Sequence, residues 1–120
     1  MRVLIVENQI GLAQIWKGHL ERLGADVAVA DSQDAAIDLI AQSPFDVIVL
    51  DLLLHMGSAL AVSDFAQYRQ PDARVIFVTN TSFFSDGSIF KHSANACAFL
   101  PSSTPPSDLA TMVEHYAQMH

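Results

Sequence analysis

Asp46-Val47-Ile48-Val49-Leu50-Asp51 is the stretch on which the fold turns. Its apolar residues run without alternation, which reads as a strand buried on both faces, the habit of a parallel sheet. A carboxylate stops the run. Arg2–Glu7 and Arg74–Thr79 carry the same signature, with Val3-Leu4-Ile5-Val6 and Val75-Ile76-Phe77-Val78 at their centres. Between them the period changes. Leu12, Trp16, Leu20 and Leu23 recur at helical spacing, and Gly24 stands where a helix C-terminus needs a left-handed residue. Asp26–Ala30 reads as a short strand. Ser32 is placed to cap a second helix with the stripe Ala36, Ile37, Ile40 and Ala41, which Pro44 ends. Val62, Phe65 and Ala66 mark a third helix, closed by Pro71. Ser85-Asp86-Gly87-Ser88 reads as a turn before a short fourth helix ending near Asn95, then a strand over Cys97–Leu100. Pro105-Pro106 starts a fifth helix with the stripe Leu109, Met112, Val113 and Tyr116. Five strands alternating with five helices predict an α/β fold: a doubly wound parallel sheet with helices on both faces.

The remaining numbers agree with one such unit. The chain has 120 residues, 51% of them apolar, enough for a single core and too few for two domains. The expected organisation is one domain over residues 1–120. The formal net charge of −7 argues against direct nucleic-acid binding. No apolar run approaches the roughly 20 residues of a membrane span, and Glu7 interrupts the N-terminal stretch too early for a signal peptide. A single cysteine, Cys97, excludes an intrachain disulfide and suits a reducing cytoplasm.

In open α/β sheets the chemistry lies beyond the carboxyl ends of the strands. Glu7-Asn8, Asp51, Thr79-Asn80 and Ser102-Ser103 fall there. Two carboxylates without a fixed cation suit a hard divalent metal, and a carboxylate can also act as a nucleophile towards phosphorus. The plainer alternative is that these residues merely cap the sheet.

The ordered set Val3-Leu4-Ile5-Val6-Glu7, Val47-Ile48-Val49-Leu50-Asp51 and Val75-Ile76-Phe77-Val78-Thr79 resembles the CheY-like receiver domains of bacterial two-component response regulators, over nearly the whole chain. The resemblance implies a flavodoxin-like (receiver) topology with strand order 2-1-3-4-5. It implies Asp51 as phosphoacceptor and Mg²⁺ as cofactor, held by Glu7, the position of Asn8, Asp51 and the Leu53 carbonyl. It implies Thr79 and Phe99 as switch residues. Ser102 takes the phosphate-contacting position. It also implies partners: a sensor histidine kinase or phosphotransfer protein, a downstream protein, and a homodimer through the face of the fourth helix, fifth strand and fifth helix. Phe83, Phe84 and Phe90 would enrich that face in aromatics.

The departures from the family pattern all concern the mouth. Asn8 stands at the second acidic position, Ser102 at the lysine, Ser103 at the following proline, and His55 at the proline of the loop after the phosphoacceptor. A non-proline cis bond costs about 2.5–4 kcal/mol, so the Ser102–Ser103 bond is expected to be trans. Glu7 and Asp51 alone carry net −2, the same as three carboxylates with one lysine. An acid and its compensating cation are lost together. Asn8 offers Mg²⁺ an oxygen without charge, and Ser102 offers one neutral hydrogen bond where a lysine would be cationic. The expectation is weak or absent Mg²⁺ binding and slow or absent phosphorylation. The chain then reads as a non-enzymatic atypical receiver, working as a phospho-switch or a phosphorylation-independent adaptor.

Rival readings remain at this stage. A small flavodoxin-like cofactor-binding or enzymatic domain lacks the phosphate loop it would need in Glu7-Asn8-Gln9-Ile10-Gly11. A receiver module belonging to a longer regulator is the third. His19, His92, His115 and His120 read as surface residues; His55 with Asp51 is the rival transition-metal site. Cys97 and Trp16 read as core.

Overall fold

The computed structural model describes residues 1–79 and 96–118. Its strands are β1 (Arg2–Val6), β2 (Asp26–Ala30), β3 (Val47–Asp51), β4 (Arg74–Thr79) and β5 (Ala96–Pro101). The helices among the described residues are α1 (Ile10–Arg22), α2 (Gln33–Gln42), α3 (Ala59–Arg69) and a C-terminal helix (Pro106–Ala117). The expected fourth helix, with Phe83, Phe84 and Phe90, falls outside the described residues. Every strand pair is parallel, in the order β2-β1-β3-β4-β5. The order reverses between β1 and β3, and that crossing point opens a crevice beyond their carboxyl ends.

The apolar runs are buried because each strand feeds two cores. Leu4, Val6, Ile48, Leu50, Val75 and Phe77 pack on the α2–α3 side. Val3, Ile5, Val47, Val49, Ile76 and Val78 pack against α1 and the C-terminal helix, where Trp16 and Leu20 fill the layer. The period of two persists even though no polar residue marks it. Cys97 lies where the β4–β5 register shifts, half-buried, and burial pushes its thiol up to about 11. It is a core residue and no exposed thiolate.

Local chemistry ends the helices as the sequence suggests. The Ala25 N–H donates to Leu20 O and the Gly24 N–H to Glu21 O, with Gly24 at φ +87°, a Schellman arrangement closing α1. The Ala35 N–H donates to Ser32 Oγ at 3.2 Å and the Ala61 N–H to Ser58 Oγ at 3.3 Å, capping α2 and α3. Two stripe positions depart from expectation. Leu23 is exposed because α1 ends before it, and Ala41 is exposed because α2 rolls Ala35 and Leu39 onto the core instead. No helix among the described residues is long and apolar enough to cross a membrane.

Candidate functional site

The register of β1 on β3 builds the site. Val6 sits opposite Leu50, so the next residues, Glu7 and Asp51, emerge side by side on the α1 face. Both are buried, at 1% and 8% exposure. The Gln9 N–H donates to Glu7 Oε1 at 3.1 Å, and the Leu53 N–H donates to Asp51 Oδ1 at 2.9 Å. Each carboxyl is thus held by the backbone two residues downstream. Glu7 Oε2 meets no donor. Its neighbour is the Asp51 carboxyl, which as an anion can only accept.

The consequence is a Glu7 that keeps its proton. Glu7 is pushed up to about 8, first by burial, then by the hydrogen bond it makes to Asp51 when protonated, then by repulsion from Asp51; the Gln9 N–H opposes the shift. Two close carboxyls without a cation cannot both ionise cheaply.

Around them lies a cleft of about 340 Å³ lined by Glu7, Asn8, Gln9, Leu12, Asp51, Leu53, His55, Ser102 and Ser103. Seven of the site residues singled out in the sequence therefore meet: Glu7, Asn8, Asp51, Leu53, His55, Ser102 and Ser103. Thr79 and Phe99 do not line it. Thr79 is buried at the end of β4, where its carbonyl accepts from the Ser102 N–H at 2.8 Å. Phe99 pairs with Phe77 in register and packs on the α2–α3 core. Among the described residues every peptide bond is trans, Ser102–Ser103 included.

The loop after β3 is apolar for a structural reason. Leu52 and Leu54 pack on the core, while Leu53 and Met56 are exposed. The loop is strapped to α2: the Gln33 N–H donates to Met56 O at 3.0 Å, and the Ser58 N–H donates to Gln33 Oε1 at 2.7 Å. Gly57, at φ +99°, allows that strap, because a Cβ there would run into the Gln33 side chain. Gln33 and Gln9 carried no signal for the site in the sequence, and Leu12 only that of the first helical stripe; the strap is a contact between distant segments.

The donor set suits a hard divalent cation. Among the described residues only two buried side-chain oxygens lack a hydrogen-bond donor, Glu7 Oε2 and Asn8 Oδ1, and both belong to residues of this cleft. Among the described residues no lysine or arginine lines it. His55 and Asp51, the rival transition-metal pair, both line this cleft; among the described residues they belong to no group of three or more His, Cys, Asp or Glu that could hold a metal ion. His19 and His115 do not line the cleft; His92 and His120 lie outside the described residues.

Comparison with known proteins agrees with this architecture. The profile of the response regulator receiver domain matches residues 3–114. The response regulator protein PilR of Pseudomonas aeruginosa is 30% identical over 113 residues, covering 94% of this chain. The chain spans only 24% of that relative's length. A receiver domain protein (CheY-like) from Methanospirillum hungatei superposes with a TM-score of 0.88 at 22% identity, covering 97% of this chain and 92% of its own. The response regulator TrrA of Thermotoga maritima, solved in complex with Mg²⁺-BeF, superposes with a TM-score of 0.82 at 19% identity over 96% of this chain and 97% of its own. At these identities the two structures speak for the fold.

Proposed function

This chain belongs to the response regulator receiver domain family of two-component signalling, and from that premise we propose that it is an atypical receiver whose Mg²⁺ and phosphoryl site is weakened. Receiver domains are signalling modules rather than enzymes, which removes the cofactor-enzyme alternative. They take a phosphoryl group from a histidine kinase or phosphotransfer protein.

Asp51 is the proposed phosphoacceptor. The Leu53 N–H occupies Oδ1, leaving Oδ2 to attack phosphorus as the bond to the donor's leaving group breaks. Glu7, Asn8 Oδ1, Asp51 and the Leu53 carbonyl would hold Mg²⁺; the TrrA complex makes that chemistry reasonable on this fold. When bound, the ion neutralises charge on the phosphoryl oxygens. Asn8 contributes no charge to holding it, and Ser102 contributes one short neutral donor to the phosphoryl group. Thr79 and Phe99 are the proposed switch residues.

The observation that carries the reading is the cleft itself: two buried carboxyls stand side by side, burial and Asp51 hold the Glu7 proton on, and no basic side chain among the described residues lines the cleft. Binding Mg²⁺ must displace that proton, so affinity is weakened at neutral pH. Incubation with acetyl phosphate and Mg²⁺, followed by intact mass, tests this. The expected result is little or no phosphoryl gain over the time in which an ordinary receiver is fully modified. Full modification that Asp51→Asn abolishes would refute the weakened site and favour an efficient phospho-switch.

The output is a protein contact, and the net charge of −7 supports a protein partner over nucleic acid. Unchanged partner binding in Asp51→Asn would mark a constitutive adaptor; its loss would mark a switch. A homodimer through β5 and the C-terminal helix is one form that contact could take.

A further inference from the structure

We infer that His55 is a positioning residue for the cation site: it fixes which way the Asn8 amide faces. The inference rests on the cation reading above and adds a residue to it. An aspartate at position 8 would present an oxygen whichever way it turned. An asparagine presents an oxygen on one edge and an N–H₂ on the other, and the wrong edge repels a cation. The missing charge at position 8 therefore creates a need for orientation that an acid does not have.

His55 meets that need. Asn8 Nδ2 lies 3.2 Å from His55 Nδ1 and 3.4 Å from Nε2, a contact across 47 residues of sequence. A neutral imidazole has one bare nitrogen and one N–H; in the tautomer with its proton on Nε2, the nearer Nδ1 is bare and accepts from Nδ2. The amide nitrogen is then engaged outside, and Asn8 Oδ1 is left as a buried acceptor without a donor, like Glu7 Oε2. Two donor-free buried oxygens in one cleft are what a hard cation takes up. The Gln33 strap holds the loop that carries His55, so the ring is presented by a braced segment. Groups that orient a metal's ligands typically change affinity by about 10–100-fold when removed. His55 is exposed, so water competes for the bond and the lower end is expected.

The test uses the whole chain and Mn²⁺ alone, with affinity read from paramagnetic broadening of the Asp51 and Leu53 amides. His55→Ala should weaken Mn²⁺ binding about tenfold. His55→Gln, whose side-chain oxygen can accept from Nδ2, should recover most of it. In an Asn8→Asp background His55→Ala should change affinity less than about twofold, because a carboxylate has no wrong edge. The Asn8 side-chain NH₂ resonances should shift in His55→Ala without metal. Equal affinity of the wild-type and His55→Ala chains overturns the inference and leaves the cation site standing. So does a loss in the Asn8→Asp background as large as in the wild type, which would mean His55 acts through the loop alone. Binding by Asn8→Asp but not by the wild type removes Asn8 as a ligand and overturns it too. If neither chain binds Mn²⁺ at about ten millimolar, a level at which even a weak site of ~millimolar Kd fills, the cation reading fails and takes the inference with it.

Discussion

The two ends of the sheet treat buried polar groups in opposite ways. At the amino end, one side chain satisfies three backbone groups: the Phe45 N–H donates to Gln70 Oε1 at 2.7 Å, and Gln70 Nε2 donates to Ile40 O at 2.8 Å and Ser43 O at 2.6 Å. Arg69 Nη2 donates to Ala41 O at 2.8 Å beside it. A hollow of about 520 Å³ lies there, larger than the cleft at the carboxyl end. Its polar lining is largely spent on tying α2 to α3, so its size signals nothing chemical. At the carboxyl end two oxygens go without donors and two carboxyls crowd each other. Arg2 Nε and Trp16 Nε1 also lack a hydrogen-bond partner, so what marks the carboxyl end is that its unsatisfied atoms are two oxygens of residues lining one cleft.

The sharpest way to break the contrast is to rebuild the mouth. Asn8→Asp with Ser102→Lys restores an acid and a cation, and should raise the rate of phosphoryl gain from acetyl phosphate about a hundredfold, read by mass against time. No change would mean the two positions do not control the chemistry. At the other end, Gln70→Ala strands three backbone groups and should cost about 2–3 kcal/mol in urea unfolding, with Mn²⁺ affinity unchanged. A matching loss of affinity would show that the two ends are coupled.

The pH dependence is the finest probe. Glu7 has its folded pKa near 8, above its ordinary 4.5, so the folded chain keeps a proton that the unfolded chain releases. Its contribution to stability is complete below about pH 4.5 and drains away as pH rises towards 8. The metal-free protein should therefore lose stability across that window at no more than about 1.4 kcal/mol per pH unit. Glu7→Gln should flatten the slope, and Mg²⁺ should too, by displacing the proton. A slope that survives Glu7→Gln would place its origin elsewhere.

Much of this was legible in the chain. Buried runs of Val and Ile located the strands within a residue: β1 stops at Val6 rather than Glu7, and β5 extends over Ala96–Pro101 rather than Cys97–Leu100. Pro101 is tolerated because, among the described residues, β5 is the edge strand and pairs with β4 alone. Helix faces were less legible. The α2 stripe was misread at Ala41 because a small residue packs or stays exposed at little cost either way. Of the site, the residues beyond strand ends were readable from position alone, while Gln9, Leu12 and Gln33 were not, since nothing in their type distinguishes them.

The sequence by itself determined the alternation of strands and helices as far as β4, the caps at Gly24 and Ser32, and the uncharged side chains at Asn8 and Ser102. These are local properties: burial pattern, turn chemistry and side-chain charge are written residue by residue. Only the tertiary structure decided that Glu7 keeps its proton, because the β1–β3 register buries it beside Asp51. It alone decided that His55 meets Asn8 and that Gln33 straps the loop. Those are contacts between segments far apart in sequence, and chain connectivity carries no record of which distant side chains a fold brings within hydrogen-bond reach.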